Sequence, residues 1–200
     1  MSCVSIWDFI LEEERRGYED TVVAGRPYPV DAGNHLLAKY APLLGFSYVE
    51  LMFLNGDSNW EKYKEIKRLM DEANLRVAAI YGGQWGGTPE EYKWRVEEKK
   101  RLVEVCKFFD CAILTGTGSS RFEGGLDKCV KLLEEVIPVA EEARVNLSLE
   151  PHMDNQLQYL TDYVYILERV KHPSVGICLD TGHFYGAGVD MHVLLDLYIG

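Results

Sequence analysis

The stretch VGICLDTGHFYGAG, residues 175–188, ends a short apolar run on a carboxylate, Asp180, and places His183 three residues later among turn-formers. A second run, VNLSLE at 145–150, also ends on an acid, Glu150, with His152 just beyond it. Carboxylates and imidazoles are the oxygen and nitrogen donors that hard or borderline divalent cations take, and carboxylates also move protons. The plain alternative for Asp180-Thr-Gly-His183 is an aspartate opening a turn before a helix. The choice depends on the elements that carry these side chains.

Beta-like runs occur at 3–9, 46–51, 76–81, 111–116, 145–150 and 175–180. From the second onward they recur every ~29 to 35 residues, the period of a strand, a crossover helix and their loops. Helical periodicity fills the gaps, at 58–73, from Thr88-Pro89-Glu90-Glu91 to about Phe109, and at 126–143, 160–171 and 189–199. Strict alternation implies a parallel sheet with right-handed crossovers. Within 145–150 the odd positions are Val145, Leu147 and Leu149, and the even ones Asn146, Ser148 and Glu150. Within 175–180 the split is Val175, Ile177 and Leu179 against Gly176, Cys178 and Asp180. One greasy face and one small, polar face per strand suit a barrel, with aliphatics against the helices and polar groups toward a lumen. The expectation is an α/β protein: a single domain over 1–200, folded as a (β/α) TIM-type barrel with about six units visible where eight make a full barrel.

Composition narrows the function. No run is long enough to cross a membrane, and there is no signal-peptide pattern. Five cysteines lie scattered in apolar segments without a CxxC pair, as expected of buried thiols in a reducing cytoplasm. The net charge of −11 argues against a nucleic-acid partner and leaves small molecules or other proteins. TGTGSS at 115–120 lacks the spacing and lysine of a phosphate loop and reads as a tight loop after the fourth strand. EEERR at 12–16 and EEKKR at 97–101 read as solvated faces.

Barrel chemistry sits at the C-terminal strand ends. Here those are Glu50, Tyr81, Thr115, Glu150 and Asp180, with Gln84, Trp85, His152 and His183 just beyond. LSLEPH followed about 30 residues later by ICLDTGHFYGAG, together with GFSYVEL at 45–51, resembles the sugar-phosphate isomerase/epimerase family and its xylose isomerase-like barrel, over about 31 to 190. The resemblance implies a divalent metal ion (Mn, Mg, Co or Zn) held by Glu150 and Asp180. It also makes Glu150 the proton-transfer group, His183 a contact to a substrate oxygen, and Glu50 an orienting acid. His152 and Trp85 would line the pocket. The implied reaction moves a proton next to the carbonyl of a sugar or sugar phosphate through an enediolate, and the implied keywords are isomerase, epimerase and carbohydrate metabolism. In that family further metal ligands come from seventh and eighth strands, which these 200 residues do not contain. Two alternatives stay open. One is a shortened, non-catalytic binding or assembly module, whose sheet edges a second copy or another partner would cover. The other is an endonuclease IV-like hydrolase, which needs several histidines around zinc; His35, His172 and His192 fall away from the strand ends.

Overall fold

A computed structural model describes residues 30–53 and 60–198 of the chain. Helix α1 (Val30–Leu43) leads into strand β1 (Tyr48–Met52). Alternation follows through α2 (Trp60–Glu72), β2 (Arg76–Trp85), α3 (Tyr92–Phe108), β3 (Ile113–Gly118), α4 (Gly125–Ala143), β4 (Asn146–Glu150), α5 (Leu160–Val170) and β5 (Val175–Ile177). Two short helices, α6 (Thr181–Gly186) and α7 (Met191–Tyr198), end it. The five strands are parallel and lie in chain order, β1-β2-β3-β4-β5. A doubly wound sheet reverses its order at a switch point, whereas a barrel wall does not. The order is that of a barrel wall, as the alternation and strand parity imply. The run at 3–9 and the charged EEERR at 12–16 lie outside the described residues.

The helix-facing side of the sheet is aliphatic. Val49, Leu51, Ile80, Leu114, Leu147 and Leu149 are fully buried there, beneath α3, α4 and α5, which pack side by side. Each such side chain contributes about 1.5–3 kcal/mol through burial, which makes this layer the principal stabilising one. On the other face Asn146, Ser148 and Glu150 are all more open than their odd-numbered neighbours, in agreement with the parity reading. Parity holds less well in β5. Val175 is buried, but Leu179 is 42% exposed, because the chain leaves the sheet into α6 before that aliphatic is covered.

Strand β2 carries one irregularity on which its neighbours depend. Its pairing with β3 runs through Tyr81↔Thr115 and resumes at Gln84↔Thr117, so one extra residue is accommodated at Gly82-Gly83. Gly83 has φ +75°, a conformation glycine adopts without a Cβ penalty. The bulge presents the Gly82 carbonyl to the ammonium of Lys99 on α3. Lys99 is fully buried, 5.0 Å above the Trp85 ring and 3.8 Å from the Glu98 carboxylate. Glu98, equally buried, also holds Arg95 at 3.1 Å. The expected solvated face at 97–101 holds at Glu97 and Arg101 and is corrected at Glu98 and Lys99: the freed carbonyl and the aromatic ring give a long cation a partner inside, at the cost of desolvation that pushes the Lys99 ammonium down to about 8.

Other boundaries moved for local reasons. The helix expected from Thr88 begins at Tyr92, because the Glu91 carboxylate turns back to accept the Thr88 N–H at 3.0 Å and closes a turn of its own. The strand expected to end at Gly116 runs on through Thr117 and Gly118, and the chain turns only at Ser119. Helix α1 covers a stretch to which the sequence periods assign no helix.

Trp85 passes across Gly116 and donates its indole N–H to the Ser148 carbonyl at 3.0 Å. A methyl group at Gly116 would overlap the Gly83 carbonyl oxygen and lie 3.2 Å from the indole nitrogen, whereas one at Gly176 would meet nothing within 4 Å. Gly116→Ala should therefore cost about 2–3 kcal/mol or more of unfolding free energy in urea titrations. Gly176→Ala, on the open lumen side of β5, should change it by less than about 1 kcal/mol.

Candidate active site

The lumen side of the sheet is assembled by register. Tyr81, Thr115 and Ser148 stand side by side across β2, β3 and β4, and Gln84, Thr117 and Glu150 form the next level up. Ser148 pairs with Gly176, and the Cys178 N–H continues the ladder to the Leu149 carbonyl at 2.9 Å, which sets Cys178 beside Glu150. Glu50 enters the same face from β1, opposite Ala79. Tyr81 and Thr117 share a hydrogen bond at 3.2 Å, and the Thr115 hydroxyl donates to the Ser148 carbonyl at 3.4 Å.

Asp180 follows directly. Its carboxylate caps α6 by accepting the His183 N–H at 2.9 Å, so the turn reading and the site reading describe the same residue: the cap fixes the carboxylate at the strand end. The histidines meet above. The rings of His152 and His183 lie against each other, tilted by 39°, with centroids 4.4 Å apart. His152 Nδ1 lies 2.9 Å from the Met153 carbonyl, which can only accept, so Nδ1 carries a proton.

Electrostatics single out Glu150. Half-buried, it is pushed up to about 7, first by desolvation and then by the negative charges of Glu50 and Asp180, with His152 opposing. Desolvation also raises Glu50. Desolvation, followed by the charge of Glu150, pushes the Cys178 thiol up to about 11. These shifts place Glu50, Glu150, Asp180 and Cys178 within one another's fields.

Of the residues expected at the site, Glu150, Asp180, His183, His152 and Glu50 come together. Trp85 does not face the lumen: it is fully buried beneath the sheet, bonded to the Ser148 carbonyl and under the Lys99 ammonium. His35 and His172 pair with Glu65 and Glu141 at helix surfaces. Two residues escaped sequence reading. Thr117 had been placed in a loop, and only the two-residue offset of β3 brings it beside Glu150. Buried Asn34 of α1 clamps Met52 at the end of β1 through both its amide atoms, at 3.1 Å each, and nothing in the sequence signals it.

Among the described residues no group of three or more His, Cys, Asp or Glu side chains is placed to enclose a metal ion. Glu150 and Asp180 nevertheless fit as two oxygen donors: a divalent cation between them would remove the repulsion that raises Glu150. They make part of a centre rather than a closed one.

A parallel sheet in chain order, with acids at successive strand ends, defines a barrel whose site lies at the C-terminal face. The family model described as a xylose isomerase-like TIM barrel matches residues 38–199, and the chain belongs to that family. A solved L-ribulose 3-epimerase superposes with a TM-score of 0.70 at 17% identity, covering 84% of this chain and 62% of its own. The IOLI protein with a bound zinc atom gives 0.66 at 19% identity, covering 80% and 62%. A probable endonuclease 4 of Mycoplasma capricolum subsp. capricolum (strain California kid) is 27% identical over 131 residues, covering 61% of this chain and 45% of its own. The chain thus spans about half or less of the curated relatives it matches.

The last finding corrects one expectation. The net charge of −11 argues against a nucleic-acid partner, yet curated relatives carry the name endonuclease 4. Net charge sums the whole surface, while a phosphate meets a local site whose bound cations can reverse the sign.

Because the Glu150 carboxyl lies above its ordinary 4.5, the folded chain binds more protons than the unfolded one between 4.5 and about 7, and stability falls as pH rises through that window. In metal-free protein, carbon-detected NMR should give Glu150 a midpoint near 7. Glu50→Gln should lower that midpoint, and Glu150→Gln should flatten the loss of stability. A midpoint in the ordinary carboxylate range would refute the crowding of charges described here.

Proposed function

We propose that this chain carries the proton-transfer part of a divalent-metal-dependent sugar or sugar-phosphate isomerase or epimerase. The observation that supports it most is Glu150, a lumen carboxyl pushed up to about 7 beside Asp180 at the next strand end. That value belongs to the metal-free chain; beside a bound cation Glu150 would be held ionised, the form that takes a proton from carbon. A divalent cation, when bound by Glu150 and Asp180 with donors beyond the described residues, supplies Lewis-acid polarisation of a substrate carbonyl. The cap bond to the His183 N–H holds Asp180 in place for this role. His183, three residues beyond Asp180 with its ring against that of His152, would contact a sugar hydroxyl. Tyr81 and Thr117 line the floor with hydroxyls. The likeness to an L-ribulose 3-epimerase supports the fold of this reading, and the zinc in the IOLI protein is consistent with its metal.

Calorimetric titration with Mn²⁺, Mg²⁺, Co²⁺ and Zn²⁺ tests the metal half. Binding should weaken by about tenfold or more in Glu150→Ala and in Asp180→Ala. Exchange of substrate C–H for solvent deuterium, followed by NMR over a panel of ketoses and their phosphates, tests the chemistry. Glu150→Gln should slow it by about 10²–10⁴-fold. Cation binding indifferent to both alanine variants would sink the proposal. The endonuclease 4 relatives support a second reading, hydrolysis at a nucleic-acid phosphate. Cleavage of an abasic-site duplex, with no ketose exchange, would select it.

A further inference from the structure

The last turn of α3 holds two thiols in a defined geometry. Asp110, at φ +53°, donates its N–H to the Lys107 carbonyl at 3.2 Å, and the Cys111 N–H reaches back to the Cys106 carbonyl at 2.9 Å. These two bonds are the Schellman pattern, which brings the residue three positions inside the helix end against the residue two positions past it. The same 6→1 bond closes α2, where it joins Met70 and Leu75, and α4, where it joins Ala140 and Val145. At those ends the facing side chains are apolar. At α3 both are cysteines.

The two sulfurs converge further. Cys106 Sγ lies 3.8 Å from the Ile113 carbonyl oxygen and Cys111 Sγ 3.3 Å from the same atom, and both residues are buried. They are not equivalent. Burial pushes the Cys106 thiol well up, while the hydrogen bond from Cys106 holds the Cys111 thiol down. A cavity of about 460 Å³ at the N-terminal end of β1 and β2 is lined by Phe109 and Asp110, the two residues just before Cys111. A peroxide-sized reagent therefore has a space against this turn. The cavity lies at the opposite end of the strands from Glu150 and Asp180.

We propose that Cys106 and Cys111 are a redox-active dithiol, which hydrogen peroxide oxidises to a disulfide across the C-terminal turn of α3. The Cys111 thiolate attacks the peroxide oxygen; its O–O bond breaks, the leaving oxygen departs as water after taking up a proton, and Cys111 becomes a sulfenic acid. The Cys106 thiol then attacks the Cys111 sulfur, loses its proton, and displaces the hydroxyl as a second water. Two thiols lose two electrons and two protons in all, and one hydrogen peroxide molecule becomes two waters. The product fits the motif, since a 6→1 turn sets the two Cα atoms close together and a disulfide needs them within about 7 Å. Oxidation also removes both S–H donors from the Ile113 carbonyl at the head of β3.

The test uses the full chain, reduced and then exposed to hydrogen peroxide. Trypsin cuts after Lys107, between the two cysteines, so a disulfide joins residues 102–107 to residues 108–121 in a product that dithiothreitol splits. Mass spectrometry should find that product, formed at least about tenfold faster than Cys129 is modified, whose buried thiol is pushed up to about 12. In Cys106→Ser the partner is gone, and Cys111 should instead be trapped by dimedone as the sulfenic acid. The proposal is overturned if peroxide leaves both thiols free to alkylate after unfolding, or if the wild type accumulates oxidised Cys111 without the cross-link. The wild-type reaction alone decides the matter, so a poorly folding variant does not blunt the test.

Discussion

The bulge at Gly82-Gly83 is the constraint that fixes the floor of the site. By adding one residue to β2, it turns a backbone carbonyl out of the ladder and obliges the helix layer to supply a donor. Lys99 supplies it, and its ammonium above Trp85 holds the indole flat beneath β3. The indole crosses the strand only because residue 116 has no side chain, and it ends on the Ser148 carbonyl of β4. Two residues further along β4 is Glu150. A buried lysine, an aromatic ring and two glycine positions thus set the height of the one carboxyl whose ionisation is most perturbed. Removing a partner from such a chain leaves a buried donor or charge unmet, which costs more than the net worth of the bond lost.

Above that floor the arrangement works against itself in a useful way. Glu50, Glu150 and Asp180 project into one lumen, and among the described residues neither Glu150 nor Asp180 is in an ion pair. Half-burial and mutual repulsion raise Glu150 toward neutrality. Such crowding destabilises the metal-free fold, which is the usual mark of a functional site rather than a structural network. A cation between Glu150 and Asp180 would relieve the same crowding. The hydroxyls of Tyr81, Thr115 and Thr117 complete a polar face that no packing argument requires.

Much of this was legible in the sequence because it follows from periods. Alternation in VNLSLE told the lumen face from the helix face and pointed Glu150 inward. Asp180 and His183 followed from the same parity and a cap. What was not legible depended on tertiary partners. Lys99 and Glu98 sit in a charged run that no local rule would bury, and only the Gly82 carbonyl and the Arg95 guanidinium explain them. Trp85 was placed by its position after a strand, but a ring that size follows the available space, which lay over Gly116. Strand β3 starts two residues late because Asp110, Cys111 and Ala112 belong to the closing turn of α3; Thr117 was therefore miscast as loop. Asn34 acts across 18 residues of chain on the backbone of Met52, and side-chain-to-backbone bonds of that range carry no sequence pattern.

The two ends of the sheet divide the labour. At the C-terminal end the strands stop on ionisable groups whose charges crowd one another. At the N-terminal end the helices are closed by Schellman turns that bring a residue of each helix against the head of the next strand: Met70 to Leu75, Cys106 to Cys111, Ala140 to Val145. Substituting thiols for aliphatics at one of these joints keeps the packing, since a thiol fills space much as a small apolar group does. It adds a bond that can be made or broken by oxidation, at a joint leading directly into the strand that carries Thr115 and Thr117. Chemistry at that joint therefore acts on a rigid element shared with the site, with no side chain in common between them.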